Sequence, residues 1–342
     1  MRQLAAIAKV SRTTISLALR NHPSIPAATR ARIQELARQS GYRADPLVTT
    51  LMNRLRVSRK RRSVEKLAYL TSWNTPEEWR VSPNDVQFYN GACRRAIELG
   101  YEIEPIWASQ PGISKQRLSN ILYTRGIRGV IIAPLLRPRG HFTLNWQHLA
   151  ASTISYTVFK PDLHRTTHSH FSGMIMTLRN LKHRGYLRIG MAAQIDQDQR
   201  VNHAWQAAYL QHNFSSPRTQ QIPPFMVNEW GAKAFKAWLD KYRPEVVVSN
   251  HRNPYDLLLR LGYDVPNEIG FASLDLVEGT PFSGIDQLPA EVGAAAVDLV
   301  ASQLHNNEFG LPSHARTVQL DGVWKNGTTT INRLRRPALA KV

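Results

Sequence analysis

Cysteine is almost absent from this chain of 342 residues: Cys93 stands alone, so no intrachain disulfide can form. That suits a reducing compartment. Long apolar runs are absent too. No stretch approaches the roughly 20 residues that cross a bilayer. Ser11, Arg12 and Arg20 interrupt the start, which therefore carries no signal-peptide pattern. The expectation is a soluble, cytoplasmic protein with no membrane partner. Acids are scarce, with 25 Asp and Glu against 44 Lys and Arg and a net charge of +19. No paired carboxylates, nucleophile–base set or Gly-rich phosphate loop stands out. No catalytic residue and no cofactor is therefore assigned, and the chain does not read as an enzyme. His164, His168 and His170 lie close in sequence, but no cysteine or other fourth ligand accompanies them. No metal site is assigned.

Basic residues are present, and they are unevenly placed. Residues 1–62 hold 14 Lys or Arg against two acids, Glu35 and Asp45, an excess of twelve in less than a fifth of the length. Neutralising a polyanion is the simplest reason for such a segment. Its apolar residues are ordered as well. Ala5, Ala8, Val10, Ile15 and Leu19 are spaced to share one small core. Ser11 can cap a helix opening on Arg12, Thr13 and Thr14. A third helix is predicted from Ala27 to Ser40, with Ile33, Leu36 and Ala37 inward and Gly41 ending it. This pattern is a helix-turn-helix DNA reader. After it, Asp45 and Pro46 suit the start of a short helix, with Leu47, Val48, Leu51 and Leu55 on one face. Ten such residues do not hold a helix alone in water. Folding on DNA is expected for them, followed by a charged linker to Arg62.

Beyond Glu65 strand-like and helical segments alternate, which argues parallel sheets covered on both faces. Predicted helices include Asp85–Leu99 and Phe171–His183, and predicted strands include Thr153–Val158 and Ile269–Leu274. Gly100, Gly126 and Gly185 stand where helix ends need positive φ. A pause after Val158 divides the run into two lobes.

The order of parts resembles the lactose-repressor/galactose-repressor family of bacterial transcription regulators. Val10-Ser11-Arg12-Thr13-Thr14-Ile15-Ser16 with Thr29-Arg30 carries the likeness most specifically. Tyr89-Asn90-Gly91, Gly129-Val130-Ile131-Ile132, Gly262-Tyr263-Asp264-Val265-Pro266 and Gly322-Val323-Trp324 follow in the family's order. The resemblance implies a small all-α helix-turn-helix head on an α/β, periplasmic-binding-protein-like core of two doubly wound lobes. The expected domains are residues 1–44, a hinge helix and linker at 45–62, and a core at 63–335. Lobe 1 would take about 63–158 and 285–309, and lobe 2 about 159–280 and 310–335, with the last crossing near Pro281–Ile285. Departures are visible, among them Pro26 in place of the usual small hydroxyl cap of the third helix. Lys9 stands where the family often has Gly in the turn, and Asn250-His251 replaces an Asn-Asp pair.

The implied function is a homodimeric repressor that binds a pseudo-palindromic operator in double-stranded DNA. A small-molecule effector, a sugar or related metabolite, would control it. DNA contact falls to Ser11, Arg12, Thr13, Thr14, Ser16, Leu17, Asn21 and Thr29 in the head, and to Leu51 and Arg54 in the hinge. Arg12 reads either a guanine or a phosphate. Leu51 is either a minor-groove wedge or a dimer contact. Effector contact falls to Arg200, Asp275, Asn250 and Gln287, with Phe88 and Trp230 as apolar walls or plain core. Two rival readings stay open: an effector-independent regulator with a degenerate cleft, and a periplasmic-type binding protein or enzyme of the same fold. The tail Arg335–Val342 has no heptads, so a dimer rather than a tetramer is expected.

Overall fold

The structure, a computed structural model, describes residues 2–19, 21–40 and 64–335. The hinge segment 45–62, with Leu51 and Arg54, lies outside the described residues, as does the tail after Arg335.

The head is three helices, α1 (Arg2–Ala8), α2 (Arg12–Leu19) and α3 (Ala27–Gln39). Leu4, Ala8, Ile15, Ala18, Ile33 and Ala37 form its buried centre, with Ala5, Val10, Leu19 and Leu36 packed at the margin. The short α1 and α2 are held mainly by this shared core, because seven or eight residues do not sustain a helix alone.

The first lobe runs through β1 (Glu65–Thr71), α4 (Pro83–Leu99), β2 (Tyr101–Trp107), α5 (Lys115–Thr124) and β3 (Gly129–Ile132). Next come a short ladder of β4 (Gly140–His141) with β6 (Val158–Lys160), and the sheet strands β5 (Ala150–Ile154) and β7 (His164–His168). The chain then enters the second lobe with α6 (His170–His183), β8 (Ile189–Gln194), α7 (Ile195–Arg200) and α8 (Ala204–Phe214). Next are β9 (Phe225–Val227), α9 (Ala232–Tyr242), β10 (Val246–Ser249), α10 (Asn253–Arg260), β11 (Gly270–Ser273) and β12 (Ser283–Asp286). It returns to the first lobe for α11 (Pro289–Asn306) and β13 (Thr317–Leu320), and re-enters the second at β14 (Val323–Lys325).

Each lobe holds one six-stranded sheet, in the orders β13-β7-β5-β3-β1-β2 and β14-β12-β11-β10-β8-β9. All ladders in them are parallel except β14 on β12. Parallel strands need both faces covered, which is why their central strands read as nearly unbroken apolar runs. In lobe 1, α4 and α11 cover one face and α5 the other. In lobe 2, α6 and α8 cover one face, with α9 and α10 opposite. α4 and α11 meet backbone to backbone. A Cβ added at Gly91 would overlap the Ala290 carbonyl, and one at Gly293 would overlap that of Phe88.

Four details differ from the sequence reading. The lobes part after His168, not Val158, because β7 pairs with β5 in the first sheet. The predicted strand Thr153–Val158 breaks at Ser155, whose φ is +68°, and its sheet-forming part is Ala150–Ile154. Pro281–Ile285 is not the crossing either. Ser283–Asp286 still belongs to the second sheet, and the chain crosses at Gln287 and Leu288. The segment expected to return whole to lobe 2 is split, since β13 stays beside β7 and the crossing falls at Asp321-Gly322.

Candidate functional site: a recognition helix and an interlobe cleft

The recognition helix α2 begins with its own cap. Ser11 Oγ accepts from the Thr14 backbone N–H at 3.0 Å, which satisfies one of the unpaired donors of a helix start. The Ser11 and Thr14 hydroxyls are bonded to each other at 2.8 Å. Arg12 and Thr13 stay exposed at the same end, while Ile15 and Ala18 turn inward. Ser16 and Leu17 are half-buried. Asn21 holds the head together: its Oδ1 accepts from Gln34 Nε2 at 2.6 Å and its carbonyl accepts from Arg30 Nη1 at 2.9 Å. Thr29 sits in the first turn of α3, behind Pro26, which offers no side-chain cap. Lys9 adopts φ +53°, the left-handed backbone for which the family often uses Gly. That conformation costs a non-Gly residue about 1 kcal/mol.

The second site is the cleft between the lobes, a cavity of about 440 Å³. Strand C-terminal ends open into it, as they do in doubly wound folds. Phe88, Arg200, Asn250, Asp275 and Gln287 all line it. Trp230 does not. It lies just before α9 and packs against Phe225, with ring centroids 6.4 Å apart, on the outer side of lobe 2. The cleft also takes residues that the sequence reading left aside: Trp73 after β1, Asn84 and Asp85 at the start of α4, Gln197 on α7, and Trp205 on α8. Asp85 had a signal in Ser82-Pro83-Asn84-Asp85, a capping box: Ser82 Oγ accepts from the Asp85 backbone N–H at 3.3 Å. α4 therefore begins at Pro83 rather than at Asp85.

Two bridges cross the cleft. Arg200 Nη1 donates to the carbonyls of Leu135 at 2.6 Å and Leu136 at 2.7 Å. Asn84 Nδ2 donates to Asp275 Oδ1 at 2.8 Å. Gln287 Nε2 donates to the Leu274 carbonyl at 2.7 Å and fixes the start of the second crossing. Burial pushes the Asp85 carboxyl up to about 6, against the lowering effects of Ser82 and Arg200. Asp275, half-buried at the cavity wall, is also pushed up to about 6, first by desolvation and further by the charges of Asp85 and Asp286.

The histidines separate. His164 faces away from the cleft, and its Nδ1 accepts from the Arg316 backbone N–H at 3.0 Å. His168 and His170 lie edge to face at the cleft floor, centroids 5.1 Å apart, and His170 packs on Trp205 at 5.2 Å. Burial lowers His168 to about 4, although the Leu320 backbone, Asp321 and Asp286 oppose the shift. His170 is held further below the usual imidazole range by burial and by His168. Among the described residues no group of three His, Cys, Asp or Glu is placed to hold a metal ion. Several buried polar atoms of the cleft lack a partner: Trp73 Nε1, Asp85 Oδ1, His170 Nδ1 and Asn250 Oδ1. Buried polar atoms are rarely left unpaired, so these four mark the cleft wall as polar rather than as ordinary core.

Residues 1–45 match the model of the bacterial regulatory proteins of the lacI family. No curated protein matches the chain in sequence. Solved structures match its fold. One is a transcriptional regulator CelR–cellobiose complex, 15% identical with TM-score 0.56, spanning 95% of this chain and 98% of that one. A lac repressor dimer bound to operator and the anti-inducer ONPF is 17% identical with TM-score 0.56, over 96% and 98% of the two chains. A putative regulator of the same family from Rhizobium etli is 14% identical with TM-score 0.59, over 79% and 100%. These identities speak for the fold, and the head speaks for the family. Residues 1–45 thus carry the head of the lacI family of bacterial regulatory proteins, and the core behind it shares the two-lobed fold of these structures.

Proposed function

We propose that the chain is a homodimeric repressor whose grip on a pseudo-palindromic operator is set by a small hydroxylated metabolite, such as a sugar, held between the lobes. One observation carries this reading: the cleft is bridged by Arg200 and by the Asn84–Asp275 pair, yet the residues lining it still hold buried polar atoms without a partner. A degenerate cleft would have filled with apolar side chains or paired those atoms internally. A volume of about 440 Å³ falls within the range of about 300–1,000 Å³ typical of small-molecule sites. The cellobiose held by one fold relative and the anti-inducer held by another support a small-molecule ligand for this fold.

The bridges connect occupancy to DNA. A ligand that favours one lobe arrangement shifts the population of closed molecules. In a dimer the lobe angle sets the spacing of the two hinges, and hence of the two heads. Leu51 and Arg54 are proposed to act at the hinge, with Leu51 as a minor-groove wedge. Ser11 and Asn21 support DNA contact by shaping the head, while Arg12 and Thr13 offer exposed donors to base edges. Isothermal titration of the full chain against a panel of sugars and nucleosides tests the cleft, with operator affinity measured beside it. Binding of one member, with a matching change in operator affinity, is expected. A panel without binders and an unchanged operator affinity would favour an effector-independent regulator.

A further inference from the structure

The charge of the cleft narrows the ligand further, on the premise that the cleft holds the effector. Two carboxylates, Asp85 and Asp275, line one cavity, and Asn84, the chain neighbour of the first, is bonded to the second. Among the described residues the one Lys or Arg lining it is Arg200, whose Nη1 is turned onto the Leu135 and Leu136 carbonyls of the opposite lobe. Asp85 is 8% exposed and its Oδ1 has no partner. Ser82 and Arg200 only partly offset the burial of this carboxyl, and a buried carboxylate oxygen without a partner is costly.

We propose that the cleft is built for an organic cation: a hydroxylated small molecule with one protonated amine, whose ammonium lies between Asp85 and Asp275. An ammonium brings three donors and no acceptor. Placed in the cavity that both residues line, it would balance the charges of Asp85 and Asp275, which act on one another. Phe88, on the same helix as Asp85, and Trp73 line the same cavity, and aromatic rings attract cations. Trp73 Nε1, a donor without a partner, calls for a ligand hydroxyl or ring oxygen as well. A neutral polyol leaves the two carboxylates to repel one another. A phosphorylated or carboxylated ligand meets both of them with one cation that is already engaged. Burial works in the same direction, since it raises both carboxyls to about 6. A cationic ligand would favour their charged forms and draw them down. Besides these two, the titratable or charged groups around the site are Arg200, Asp286, His168, His170 and His251.

The test is isothermal titration of the full chain with matched probes: D-glucose against D-glucosamine, D-galactose against D-galactosamine, and glucose 6-phosphate. The expected result is an amine bound at least tenfold more tightly than its neutral twin at neutral pH. Asp275→Asn and Asp85→Asn should each remove that gain, and acidification below the carboxyl range should do the same. Near-UV circular dichroism verifies that each variant is folded, and two variants are used so that one misfolded protein does not decide the matter. Glu278→Gln, an exposed acid that does not line the cavity, should leave the gain intact. A neutral sugar or the phosphate bound as tightly as the amine overturns the assignment of charge and leaves the effector reading standing. No binding by any probe also counts against the amine. If the wider panel of neutral metabolites is silent too, the effector reading falls with it.

Discussion

Asp85 is where the cleft's chemistry can be read as stability. Its folded-state carboxyl titrates near 6, raised first by burial, against an ordinary value of 3.8. A raised carboxyl favours folding below its unfolded pKa, and that contribution disappears as pH rises through the folded value. The native state therefore carries a growing cost between about pH 4 and 6. Asp85→Asn removes the titration. Relative to wild type, the variant should gain on the order of 1 kcal/mol between pH 5 and pH 7.5, read from urea unfolding at both values. An equal difference at the two pH values would show that the carboxyl is not desolvated. His168 has the opposite slope, because its imidazole is held near 4 and protonation on acidification opposes folding. Single residues were legible where local chemistry announces itself. Ser11 as a cap and Gly100, Gly126 and Gly185 at positive φ followed from their places in the pattern. Trp230 was not legible, because an aromatic before a helix looks the same whether it faces a cleft or a core.

Elements were legible when their burial followed a period. β7 did not. His164-Arg165-Thr166-Thr167-His168 has no apolar residue, yet Thr166 and Thr167 are fully buried in the first sheet. Sheet pairing and hydrogen bonds stand in for apolar character there: the Ser155 backbone N–H donates to the Thr166 carbonyl at 2.9 Å, and the Arg165 N–H donates to the Arg316 carbonyl at 2.8 Å. Composition hides such a strand, and the lobe boundary was misplaced with it. The α4–α11 contact was equally invisible, since Gly in a helix reads as a weakness. Here it is the contact point. Gly293→Ala should force the two helices apart and lower stability by roughly 2 kcal/mol or more. Thermal unfolding of wild type and variant gives the answer. A variant as stable as wild type would show that α11 can slide without cost.

At the scale of the molecule the two-lobed architecture was legible, because strand–helix alternation leaves few alternatives. The three crossings were not, because they are short and their residues are as polar as any loop: Ser169, Gln287-Leu288 and Asp321-Gly322. The cleft follows from those crossings, and its bridges between Arg200 and residues 135–136 join parts distant in sequence. The head was the most legible part, since charge, cap and core spacing agreed within forty residues. It also carries the central claim, that this chain reads a DNA sequence through α2.

The most direct measurement is a fluorescence-anisotropy titration of the full chain at one fixed salt concentration. One duplex is recovered by iterative selection from random DNA, and the other is its scrambled counterpart. Wild type should prefer the selected duplex by on the order of a thousandfold. Arg12→Ala should weaken that complex by about 1–3 kcal/mol and change the scrambled one far less. Equal affinity for the two duplexes, or an equal loss on both from Arg12→Ala, would contradict the account.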